Sequence, residues 1–177
     1  MSEKWNIGDI AAAHFRTYVD ARTGKRRRSD YLAFVGLPVS LGVLTGTLRH
    51  LDRFALYDVS KLIGGIGIFT GLLFGLLTNV FTLSLRLQRD DDLADHKTTR
   101  SIKELFANLS WAVCVGLSLV VLLVACSSIG ESRSRVSEWW TAVLVTLFAH
   151  LILTVLMSLK RLWMAHSQIP LLPPKEK

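Results

Sequence analysis

Residues 62–85 read LIGGIGIFTGLLFGLLTNVFTLSL, a run without Asp, Glu, Lys or Arg, closed by Lys61 and Arg86. A helix needs about 20 predominantly apolar residues to cross a bilayer, where each backbone amide and carbonyl must be satisfied within the segment. This run has that length. So do three others, at 31–48, 105–130 and 139–159. Half of the 177 residues are hydrophobic, and they are gathered into these charge-free blocks with the charges crowded between them. A soluble chain of this length would spread its apolar residues around one core. The expected fold is therefore all-α, an integral membrane protein with four transmembrane helices at 31–48, 62–85, 105–128 and 139–159. The Ser127-Ser128-Ile129-Gly130 end of the third run is expected outside the hydrocarbon. The first run is read as a retained span rather than a leader: it is long, it begins at residue 31, and no small-x-small cleavage site follows.

The formal charge of +7 suits either nucleic acid or an anionic membrane face. Its distribution favours the membrane. Segments 1–30, 86–104 and 160–177 carry 16 of the 21 Lys and Arg residues, and loops 49–61 and 129–138 carry 5. Lys and Arg concentrate on cytoplasmic segments, so both termini are expected in the cytoplasm of a bacterium, with the spans in its inner (plasma) membrane. Tyr31, Trp111 and Trp163 fall near the inner boundary by this reading, and Tyr57, Trp139 and Trp140 near the outer one. Anionic lipids of the inner leaflet are expected partners; nucleic acid is not.

Within 6–22, Ile7, Ile10, Ala11, His14, Phe15, Tyr18 and Val19 recur at helical spacing, which predicts a short amphipathic cytoplasmic helix with Asn6 as its N-cap. It could lie in the membrane interface or pack on a protein. The basic run Lys25, Arg26, Arg27 and Arg28 follows and is expected to meet lipid headgroups. The tail 168–174 (QIPLLPP) favours extended geometry.

Spans associate through small residues and hydrogen bonds, because lipid is as apolar as leucine. The second span carries Gly64, Gly67, Gly71 and Gly75 in a row that Thr78, Asn79 and Thr82 continue toward Arg86; the first carries Gly42 and Gly46. Packed within the chain, this row would put the second helix at the centre of the four. Facing outward, it would form a subunit interface or line a pore. The fourth span carries Thr146, His150, Thr154 and Ser158 at steps of four. His150 lies near mid-membrane, where an ionisable side chain either senses protons or bonds, neutral, to a neighbour such as Asn79 or Asn108.

Asp91, Asp92 and Asp95 spell DDxxD, which looks like the magnesium–diphosphate motif of prenyltransferases. Those enzymes have a second acidic motif and a large helical pocket, and this chain has neither, so the run reads as a solvated stretch. Ser101 and Glu104 match a capping box before the third run. Cys114 and Cys126 share one run about 18 Å apart along a helix and cannot pair within it. The histidines are scattered over both sides and the bilayer, and no P-loop, HExxH, CxxC or dinucleotide fingerprint is present. No metal, cofactor or catalytic residue is expected.

The expected function is that of a non-enzymatic inner-membrane subunit. It would oligomerise, most simply as a homo-oligomer, and sense, anchor or signal to a cytosolic protein partner. The plan is similar to that of small four-span subunits in bacterial anti-phage defence operons, a likeness of architecture alone. The alternative is a small pore-forming or ion-conducting oligomer, with the polar stripes of the second and fourth spans lining the path.

Overall fold

The computed structural model describes residues 7–18, 28–89, 96–129 and 135–168, with side chains at 7–18, 29–86, 99–128 and 135–164. The basic run 25–27, the Arg28 side chain, the acidic run 90–95 and the tail 169–177 lie outside these. The described residues are helical, without a strand: α1 (Ile7–Arg16), α2 (Arg28–Tyr31), a π-helical turn (Leu32–Gly36), α3 (Leu37–His50), α4 (Ser60–Arg89), α5 (His96–Ile129) and α6 (Glu138–Gln168). Four helical stretches are long and apolar enough to cross a membrane: Ser29–His50, Ser60–Arg86, Thr99–Ser128 and Glu138–Met164. The chain is thus built as a multi-pass membrane protein. α4 and α6 outrun their charge-free blocks at both ends, and α5 outruns its block at the start. Ser101 lies inside α5, five residues past its start, and caps nothing; Glu104 pairs with Arg100 and Arg161 instead.

The helices pack as an open row. α3 lies against α6, α6 against α5, and α5 against α4, whereas α3 and α4 do not touch. The central helix is therefore α5, not α4, and α4 forms one edge. A heptad of inward residues explains the α4–α5 contact. Ile66, Leu73 and Val80 of α4 are buried against Ile102, Leu105, Leu109, Ala112, Leu119 and Leu123 of α5. Steps of three and four keep such a seam on one face.

Close approach elsewhere depends on missing side chains. A Cβ at Gly42 would collide with the Thr146 hydroxyl and stand 2.6 Å from the Ala142 carbonyl; one at Gly46 would stand 3.1 Å from Ala142 Cβ. These two glycines seat α3 on α6. Gly116 of α5 plays the same part toward Thr70 of α4. In contrast, nothing lies within 4 Å of a Cβ built on Gly64, Gly67, Gly71 or Gly75. The α4 glycine row points away from the rest of the chain, opposite its heptad.

At the end of the row remote from α1, the two connecting loops are clasped together. Arg49 Nε donates to the Val136 carbonyl (2.9 Å), Val136 N–H donates to the Leu56 carbonyl (3.2 Å), and Asp52 accepts from both Arg49 and Arg135 (3.1 and 3.0 Å).

Candidate functional site

At the other end, where α1 docks on α5, buried polar side chains gather: His14, Thr17, Asn108, His150, Thr154 and Ser158. The site begins with a proline. Pro38 has no N–H for the carbonyl of Phe34 four residues before it, and its ring crowds that carbonyl. The helix widens here into the π turn at Leu32–Gly36, in which Leu37 N–H reaches back to the Leu32 carbonyl. The Phe34 carbonyl instead accepts from Nδ1–H of His150 on α6 (2.8 Å). Trp111 of α5 donates its indole N–H to Nε2 of the same imidazole (2.8 Å). An indole can only donate and a carbonyl can only accept. These two bonds therefore define a neutral His150, protonated at Nδ1, that joins three spans. Thr146 and Thr154 do not bond the ring: their hydroxyls donate to the Ala142 and His150 carbonyls of their own helix, as Ser158 does to Thr154.

α1 completes the seam. His14 is fully buried. Its ring stacks on Trp111 (centroids 5.6 Å, planes 22° apart) and meets His150 edge-on at 5.9 Å. Nδ1–H of His14 donates to Oδ1 of Asn108 (2.8 Å), and the Tyr18 hydroxyl donates to its Nε2 (2.7 Å). Thr17 lies 3.0 Å from the same Asn108 oxygen and donates to the His14 carbonyl (2.7 Å). Tyr18, itself 1% exposed, packs on Tyr31 and Phe34 and so ties α1 to the first span as well. Arg161 of α6 donates to the Thr17 carbonyl beyond the end of α1 and to Glu104 of α5 (both 2.9 Å). A guanidinium there complements the negative end of the helix dipole. Glu104 is held from its other side by Arg100 (2.9 Å).

Burial pushes the His14 imidazole down from 6.5 to about 4, with the bond to Asn108 partly opposing. The same burial pushes the Tyr18 phenol up. The arrangement holds neutral rings together by directed bonds. One polar atom of the seam, Asn108 Nδ2, is buried and has no partner among the described residues.

Of the residues singled out in the sequence, His150, Thr154 and Ser158 are buried beside this seam. Gly42, Gly46 and Thr146 meet at the α3–α6 contact. Gly64, Gly71, Gly75, Asn79 and Thr82 lie on the exposed face of α4 with Gly67 at its margin, so Asn79 is not the partner of His150. Asn108 bonds His14 instead. Helical periodicity placed His14 on the inward face of its helix but could not show that it meets His150, and the spacing of the histidines gave the opposite impression. Trp111, read as a boundary anchor, is the hub of the seam; Trp163 and Trp139 are 73% and 78% exposed. The one local signal available was Phe34 followed by Pro38, which leaves a carbonyl in need of a donor. Compared with family models, with curated proteins and with solved structures, the chain matches none of them.

Proposed function

We propose that the chain is a non-enzymatic subunit of a bacterial inner membrane, with both termini in the cytoplasm, that self-associates and signals to a cytosolic protein through α1. The observation that carries this reading is the seam. A ten-residue helix outside the spans is tied by a buried bond to α5, and the two residues that follow it by a half-buried bond to α6 and by Tyr18 packing on the first span. A partner that seats on α1 or draws it away changes the surroundings of Asn108, Trp111 and Arg161 together, which is how a two-state element transmits without catalysis. The bias of Lys and Arg toward 1–30, 86–104 and 160–177 supports the orientation and the attraction to anionic lipid. The four-span plan with short loops opposite α1 is what the likeness to subunits of anti-phage defence operons rests on.

The open α4 face supports self-association. Its glycines admit a second backbone, and the Asn79 amide, which makes no hydrogen bond to the described residues, lies where lipid offers none. Native mass spectrometry tests this. Gly71→Leu meets open space in the single chain, so it should insert and fold while the oligomer mass falls to that of the monomer. An unchanged oligomer mass refutes the interface. For orientation, a cysteine at Tyr57 should react with an impermeant reagent from outside, and one at Ala12 should not.

One observation favours the pore as a second reading: Thr78, Asn79 and Thr82 are exposed on that same face and would line a path if α4 helices converged. The α6 row is turned inward, with His150, Thr154 and Ser158 buried, and does not reach that face. Conductance in planar bilayers that disappears in Asn79→Leu would favour the pore over the signalling subunit.

A further inference from the structure

Two grooves of about 460 Å³ each open on the surface of the helix row, within the size range of small-molecule sites. The one remote from α1 includes Lys61, whose ammonium is held by Asp58 at 2.9 Å. The other lies between α1, α4 and α5. Its walls are apolar, formed by Ile10 and Ala13 of α1, Phe81 of α4, and Ile102, Phe106 and Ala107 of α5. Lys103 and Thr99 lie at one end and Ser110 at the other. Lys103 is exposed and makes no ion pair among the described residues. Asp9 stands on the α1 wall.

By the bounds of the charge-free blocks, the groove falls at the edge of the membrane-crossing segments. The charge-free part of α4 ends at Leu85, and that of α5 begins at Leu105. Thr99 and Lys103 therefore stand at headgroup depth, and Phe106 to Ser110 at the depth of the upper acyl chains. A ligand that fits must be apolar along its length, negatively charged at one end, and present at this depth.

We propose that this groove holds one phospholipid of the leaflet on the α1 side, with its phosphate on Lys103 and an acyl chain laid along Phe81, Phe106 and Ala107. Because α1 supplies one wall, the site is complete only while α1 is docked, and the bound lipid bridges α1 to α4, two elements that otherwise do not touch. The assignment rests on the α1–α5 packing and not on the signalling role, so either can fail without the other.

The test is native mass spectrometry of the full chain in detergent, titrated with dioleoylphosphatidylglycerol and, separately, with dioleoylglycerol, which has the same chains and no phosphate. One phosphatidylglycerol per chain should be retained at concentrations where dioleoylglycerol is not. Lys103→Gln, an exposed change, should weaken retention about fivefold, the loss of one basic contact. Ala107→Trp should fill the groove and abolish retention. The charge-reversed Lys103→Glu, at the exposed end of the groove, leaves the apolar walls unchanged and should retain none. Equal retention of the two lipids, or phosphatidylglycerol binding unchanged in Lys103→Gln and Lys103→Glu, overturns the proposal. So does the uptake of many lipids with one common affinity, which is the mark of annular lipid only.

Discussion

Protonation of His14 should release α1. In the docked state its Nδ1–H is committed to Asn108 and its Nε2 accepts from the Tyr18 hydroxyl, at full burial, so an added proton displaces a bond away from solvent. Burial holds the docked imidazole at about 4, against 6.5 when α1 is free in solvent. Because the docked value is the lower one, docking has its full strength above pH 6.5, weakens as pH falls from 6.5 to 4, and is constant below. The whole loss is about 3 kcal/mol, and at pH 5.5 it is about 1.4 kcal/mol, a tenfold drop in the docking constant. The groups facing His14 are His150 and Arg161 from α6, Asn108 and Trp111 from α5, and Tyr18 just past α1, so a control that removes only His14 is needed. Hydrogen exchange of the peptide covering 7–18, measured in nanodiscs from pH 8 to 4 and corrected for the chemical exchange rate, reads the opening of α1 directly. Protection in the wild type should fall about tenfold between pH 7 and 5.5, while His14→Gln should be flat. Flat protection in the wild type, or an equal fall in His14→Gln, would refute the argument that His14 is held neutral by the seam.

The other expectations follow from the same contacts. His150→Gln retains a donor and an acceptor and should fold, whereas His150→Leu leaves the Phe34 carbonyl and the Trp111 indole unpaired and should lower thermal stability by about 1 kcal/mol; equal loss in both would remove the structural role of the imidazole. Gly42→Leu should destabilise the monomer by more than about 2 kcal/mol through overpacking against Thr146 and Ala142, and Gly71→Leu should leave monomer unfolding unchanged; the reverse ranking would contradict the packing of α3 on α6. Pro38→Ala restores an N–H to compete with His150 for the Phe34 carbonyl, so the π turn should relax toward α-helix and the exchange protection around residues 32–38 should rise; unchanged protection would show that proline is not what shapes the turn.

Much of this protein is legible along the chain because the bilayer is a demanding solvent. Four blocks without charge, each near the length of the hydrocarbon, admit little besides four spanning helices, and the 62–85 run alone announces its glycine row and its Thr78-Asn79-Thr82 continuation. The period of the inward residues was equally available: Ile66, Leu73 and Val80 are a heptad before any partner is known. The 31–48 run does not reveal its π turn, since Pro38 is compatible with several local adjustments.

What only the tertiary structure decided is which faces meet. Spacing puts Gly42 with Gly46, and Gly67 with Gly71, on equal footing, yet the first pair is pressed against Ala142 and Thr146 and the second meets nothing within 4 Å. The same holds for the polar side chains. His14 and His150 are separated in sequence by three spans and the segments that connect them, and their rings lie 5.9 Å apart. The physical reason is that periodicity depends on one helix at a time and sets the direction of each face, whereas partner choice depends on the summed packing of all helices at once. Small residues and unpaired polar groups state that a neighbour is needed; the shapes of the surrounding helices determine which neighbour arrives.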